Sequence, residues 1–212
     1  MLTLERARHW YPAADGVHGF DHIARVYALA RRLAAEEGCD VEIVSAAALL
    51  HDAEGSHPAD DAARRSHQYA SAEFARQVLL EEGWQEQRIE AVVHCIRAHR
   101  FRDEREQPQT LEAQVLFDAD KLDAIGAIGV SRAIAFSLQA GQPVYSPPSE
   151  RFRQTGALEP GEAHTAYHEY LFKLSKLKDR LWTPAARRIA EGRHLAMAQF
   201  FTELAEELDG RA

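Results

Sequence analysis

The apolar run Ile43-Val44-Ser45-Ala46-Ala47-Ala48-Leu49-Leu50 stops at two ionisable residues, His51 and Asp52. A run this apolar is destined for the interior, and an imidazole and a carboxylate at its end are costly to bury without compensation. The fold must therefore bring counter-charges, or a cation, to that point. Two other stretches hold suitable groups: Gly19-Phe20-Asp21-His22-Ile23-Ala24-Arg25-Val26 upstream and Asp118-Ala119-Asp120-Lys121-Leu122-Asp123-Ala124 far downstream. In chain order, His22, His51–Asp52 and Asp120 make a mixed nitrogen and oxygen set of the kind hydrolytic metals use. Neighbouring residues on a helix diverge by about 100°. His51 and Asp52 can share one ion only if it lies between their directions, most easily at a helix end.

The periodicity predicts helices nearly throughout. Phe20, Ile23, Tyr27, Ala30 and Ala34 recur at helical spacing up to Gly38, and Val26, Leu29 and Leu33 add a second apolar face that carries His22. Asp40 reads as the N-cap of the helix that ends at His51–Asp52. Tyr69, Ala72, Ala75 and Leu79 mark a helix stopped by Gly83, and Ile89, Val92 and Ile96 mark the next. Leu111 to about Ala140 reads as one long apolar stretch, with Gly126 and Gly129 as close-packing sites rather than a break. Tyr167, Tyr170, Leu174, Leu177 and Leu181 form a further stripe. Thr183–Pro184 opens a last helix with Met197, Phe200, Leu204 and Leu208 facing inward. No alternating run with hairpin turns supports strands. The expectation is an all-α bundle, one domain over 1–212, with 162–212 as a C-terminal helical pair packed on the core. Two segments break the pattern. Glu54 to Ser66 is polar and adjoins the His–Asp pair, with His57 facing solvent beside Pro58. Residues 141–161 hold four prolines and read as a long loop, a candidate lid.

Composition narrows the function. A formal net charge of −8 disfavours a sequence-independent grip on nucleic acid, which needs cationic side chains against phosphates. It leaves small anions open where a metal and a few cations dominate locally. No apolar run spans a bilayer, and charge arrives too early at the amino terminus for a secretory signal. Cys39 and Cys95 stand alone and suggest no disulfide framework, so a reduced cytoplasmic setting is expected.

The three stretches together resemble the HD-domain metal-dependent phosphohydrolase superfamily. The run Asp118 to Gly129 and the tail around Tyr167 to Leu208 are similar to its single-domain bacterial YedJ-type subgroup. The resemblance covers nearly the whole chain. It implies an all-helical fold, His22, His51, Asp52 and Asp120 as metal ligands, and hydrolysis of a phosphate ester or anhydride, most commonly of a nucleotide. One divalent ion is expected, with Mn²⁺ or Mg²⁺ suited to the oxygen content and Co²⁺, Ni²⁺, Fe²⁺ or Zn²⁺ compatible with two imidazoles.

Further residues are candidates around that ion. Asp52 can serve as both ligand and base, and Lys121 and His99 can steady developing negative charge. Asp123 shares a helical face with Asp120 and can orient a ligand, or else pair with a nearby Lys or Arg. Arg25 can bind phosphate or brace Asp52 or Asp123. His99 continues the inward stripe Ile89, Val92, Ile96. His94 lies about 140° away from it on an ideal helix, so the two cannot chelate one ion together. His67, His94 and His99 matter because some HD proteins hold two metals through added histidines. Two rivals therefore stand beside the phosphohydrolase: a di-iron oxygenase and a non-catalytic metal-dependent nucleotide sensor. The expected partner is a small phosphorylated substrate, and the protein is expected to be a monomer or a homodimer.

Overall fold

The computed structural model describes residues 2–11, 19–54, 66–100, 106–208 and 210. Among these residues the chain forms ten α-helices and no strand: α1 (Leu4–Ala7), α2 (Phe20–Glu37), α3 (Val41–Leu50), α4 (His67–Glu81), α5 (Glu86–Ala98), α6 (Leu111–Asp123), α7 (Gly126–Gln139), α8 (Glu150–Thr155), α9 (Ala166–Phe172) and α10 (Pro184–Leu208). No described helix is long and apolar enough to cross a membrane, and Cys39 and Cys95 are free thiols. The helices divide into two compact units, Met1–Lys121 with Leu181–Ala186, and Leu122–Arg180 with Arg187–Ala212. The segment around His57 lies outside the described residues.

In the first unit α3 is the central rod, in contact with α1, α2, α4 and α5. Seven of its ten residues are buried, and each large apolar side chain withdrawn from water contributes about 1.5–3 kcal/mol. Its start is set as the sequence predicts. Asp40 accepts hydrogen bonds from the backbone N–H groups of Glu42 and Ile43, and Arg88 pairs with the same carboxylate at 2.8 Å. Gly38 ends α2 in the left-handed region at φ 76°, donating its N–H to Ala34. Asp118 is wholly buried and accepts from the N–H groups of Trp182 and Thr183 and from the Thr183 hydroxyl, at 2.7–2.9 Å. This fastens residues 181–186 to the first unit, and Thr183 in turn caps α10 by accepting from Ala186.

The structure departs from the sequence reading in three places. The stretch from Leu111 to Ala140 is two helices, because Gly126 takes φ 78° and interrupts the ladder. Gly129 does act as a packing site, since a Cβ there would collide with the Ala124 carbonyl and Met197. The stripe from Tyr167 to Leu181 splits into α9 and a 3₁₀ segment, Leu174–Arg180. On α10 Met197 and Phe201 are buried, along with Ala185, Ala186 and Ala190, while Phe200 and Leu208 are exposed. The aromatic contact explains the choice: Phe201 stacks on Tyr170 at 4.6 Å between ring centres.

Residues 141–161 are a loop, as the sequence predicts, carrying one short helix, α8. Ser149 caps α8, and Glu162 gathers the segment by accepting from the Ser149 N–H and hydroxyl, the Glu159 N–H and the His168 ring. These donors, the Ser149 backbone first, pull the Glu162 carboxyl down to about 2.

Candidate metal centre

The first unit brings together the residues that the sequence pattern singled out. Helix α2 presents His22 from its first turn, the C-terminal end of α3 presents His51 and the turn beyond it Asp52, and α6 presents Asp120. His22 Nε2 lies 3.4 Å from Asp120 Oδ1 and 3.9 Å from Asp52 Oδ2, and His51 Nε2 lies 3.7 Å from Asp52 Oδ2. One ligand atom from each of His22, His51 and Asp52 falls within 4.8 Å of the others. Their burial is nearly complete, at 2%, 0% and 9% exposed. In the acidic stretch the helical period sorts the roles. Residues 118 and 120 point about 200° apart, so Asp118 anchors residues 181–186 while Asp120 joins the histidines.

Two more histidines complete the cluster. His67, at the start of α4, places Nε2 3.1 Å from Asp52 Oδ1. His99, which follows α5, places Nε2 3.6 Å from the same oxygen and 3.3 Å from His67 Nε2. The rings of His22, His51, His99 and His67 form a continuous chain, with centres 5.2–5.5 Å apart. Asp52 thus faces His22 and His51 with one oxygen and His67 and His99 with the other. Asp52, His67 and His99 make a second group able to hold an ion.

The hydrogen bonding prepares these rings for a cation. His51 donates Nδ1–H to the Ala48 carbonyl at 2.9 Å and His99 donates Nδ1–H to the Ile96 carbonyl at 2.5 Å. In a neutral ring each bond leaves the Nε2 lone pair pointing into the cluster. Among the described residues His51 Nε2 is buried with no hydrogen-bond partner. Burial drives the His51 ring down to about 4, so it is neutral at pH 7. Burial works against the charge of Asp52 and Asp120, but their surroundings outweigh it. The His51, His67 and His99 rings hold Asp52 well below the usual carboxylate range, and Lys121 and His22 do the same for Asp120. Two anionic carboxylates and an orphaned neutral lone pair in a closed, buried site fit a divalent ion.

The remaining candidates fall in different places. Lys121 pairs with Asp120 and lies over the Phe117 ring, so it is part of the cluster rather than a solvated lysine. His94 is turned away, as its helical angle predicts. Its Nδ1 meets Glu106 at 2.9 Å and its Nε2 accepts from the Gln109 N–H. Asp123, in the second unit, pairs with Arg132 at 2.8 Å, the ion-pair role that the sequence left open. Arg25 is half-buried three residues after His22 on α2. Glu54 contributes its backbone, whose N–H and carbonyl exchange two hydrogen bonds with the buried Ser71 hydroxyl and tie the exit of the His–Asp turn to α4.

Sequence reasoning missed Tyr11 and Arg132. Tyr11 follows a short 3₁₀ turn, and nothing in its surroundings in the sequence marks it for burial. Arg132 lies nine residues beyond its partner, across the break at Gly126, which the periodicity did not reveal.

This architecture and this ordered set of His and Asp residues define the HD-domain class, and the HD-domain family profile matches residues 19–125. The chain belongs to the HD-domain family. It is 33% identical to YpgQ of Bacillus subtilis over 99% of this chain and 96% of that protein. The crystal structure of Bacillus subtilis YpgQ in complex with ADP superposes with a TM-score of 0.74 at 30% identity, covering 99% of this chain and 100% of that one. An HD-superfamily hydrolase from Bacillus thuringiensis aligns with a TM-score of 0.70 at 28% identity, over 97% of this chain and 94% of that one.

Proposed function

We propose that this protein is a metal-dependent phosphohydrolase acting on a small phosphorylated metabolite, most simply a nucleotide, with release of phosphate or pyrophosphate. The observation that carries the reading is the orphaned Nε2 of buried His51 beside the Asp52 carboxylate. His22, His51, Asp52 and Asp120 hold one divalent ion. When bound, such an ion acidifies a water and draws charge from a phosphoryl oxygen. Asp52, ionised and flanked by imidazoles, accepts a proton from attacking water. Lys121 offers a point charge to the phosphate, and His99 steadies the developing negative charge. The ADP complex of YpgQ and its likeness over nearly the full chain support a nucleotide as the substrate class.

The test is a panel of nucleoside mono-, di- and triphosphates assayed with Mn²⁺ for phosphate and for pyrophosphate in parallel. Wild type releases one of the two products, and Asp52→Ala releases neither while staying folded. Turnover undiminished in Asp52→Ala refutes the reading.

One observation favours a second reading: the second oxygen of Asp52 faces His67 and His99. A carboxylate shared in this way suits two metals, as a di-iron oxygenase requires. Two metals per chain together with oxygen consumption would select it over the phosphohydrolase.

A further inference from the structure

Helix α3 ends where its last carbonyls lack helical partners, and it ends on the residues that matter most, His51 and Asp52. One of those carbonyls, Leu49, is met by the hydroxyl of Tyr11, which donates to it at 2.8 Å in a buried setting. The backbone N–H of Asp52 faces the same phenolic oxygen. The hydroxyl therefore holds the chain two residues before His51, with the backbone of the residue after it close by. Burial keeps this phenol protonated, its pKa well above the usual value, with the nearby Asp52 charge pushing in the same direction. It is a fixed donor rather than a titrating group.

The side chain is held where it is. Tyr11 is 7% exposed and leans on Phe20, the first residue of the helix that carries His22, at 6.0 Å between ring centres. The segment before it is fastened to the same unit. Trp10 packs edge-on against Phe74 of α4, Arg6 pairs with Glu82, and Ala7 is fully buried. Residues 2–11 lie outside the 19–125 span of the family match, so this contact is a feature of the chain beyond the matched domain.

We infer that Tyr11 is a positioning residue for the His51–Asp52 pair, its hydroxyl fixing the turn that sets the angle between the two side chains and so the geometry they offer to a metal. The inference rests on the metal-binding reading above. It needs His51 and Asp52 to act on one ion, which adjacent helical residues can do only if the turn between them is held.

The test is Mn²⁺ titration of the full chain, with free Mn²⁺ read by electron paramagnetic resonance, for wild type, Tyr11→Phe, Ile43→Val and Asp52→Ala. Ile43→Val trims the core at the opposite end of α3 and controls for general destabilisation. Loss of a group that orients a ligand weakens metal binding by about 10–100-fold. Tyr11→Phe is expected to show a Kd at least about tenfold above wild type, while Ile43→Val keeps the wild-type Kd although both variants melt at lower temperature. Mn²⁺ affinity in Tyr11→Phe equal to wild type, with Asp52→Ala unable to bind, overturns this inference alone. An equal loss in Ile43→Val overturns it too, because the effect is then one of stability. Wild-type protein that binds no Mn²⁺ overturns the metal reading and this inference with it.

Discussion

Acidifying the metal-free protein from pH 7 to pH 5 isolates the consequence of burying His51. Burial holds its ring at about 4 in the folded chain, against 6.5 for the free group. Because the folded pKa lies below the unfolded one, the unfolded chain takes up this proton first as the pH falls. The stability is complete above pH 6.5, drains away between 6.5 and 4, and levels off below 4. Summed from pH 7 to pH 5, the unfolded state gains about 2 kcal/mol from this residue, a substantial share of the roughly 5–15 kcal/mol that holds a domain together. The assay is urea denaturation after chelator treatment, at both pH values, for wild type and His51→Gln. The variant has no titrating group at position 51, so the stability lost on acidification is smaller in it by about 2 kcal/mol. Equal pH dependence in the two proteins refutes the account of a neutral, desolvated His51.

Other expectations follow from single contacts. Asp118→Ala removes the acceptor for three hydrogen bonds from Trp182 and Thr183; a loss of about 3 kcal/mol is expected from charged hydrogen bonds of this kind, read by chemical denaturation, and a loss below about 0.5 kcal/mol contradicts the anchoring role. Gly156→Ala forces a side chain into a backbone at φ 72° and into the Phe172 ring, and a destabilisation of about 1–3 kcal/mol should appear in thermal melts. Arg132→Ala leaves Asp123, 3% exposed, as a buried carboxylate without this cation; about 3–5 kcal/mol is the expected scale, and rescue by Arg132→Lys would be partial because lysine cannot reproduce the guanidinium geometry.

Most of the first unit was legible in the sequence, and the reason is physical. Asp40, Gly38 and the Thr183–Pro184 pair act through local backbone geometry, which depends on residue type and spacing alone. The centre was legible because the chemistry of a buried His–Asp pair demands partners, and the ordered stretches around His22 and Asp120 resemble those of the HD-domain family. What escaped was set by tertiary contact. Gly126 could serve as a packing glycine or as a break, and its positive φ makes it a break. Phe201 displaced Phe200 from the inward face because the Tyr170 ring was there to receive it. Asp123 pairs with Arg132, a partner across the break at Gly126 that no local pattern marks. Tyr11 came to the centre through the packing of a distant segment, which no local pattern encodes.

The central claim is that His22, His51, Asp52 and Asp120 form a site for a divalent cation. The most direct measurement is elemental analysis of purified, Mn²⁺-equilibrated and desalted protein, wild type beside Asp52→Ala, with circular dichroism to show that both are folded. The account predicts at least one metal ion per wild-type chain and none retained by the folded variant. Metal absent from wild type, or retained equally by Asp52→Ala, contradicts it.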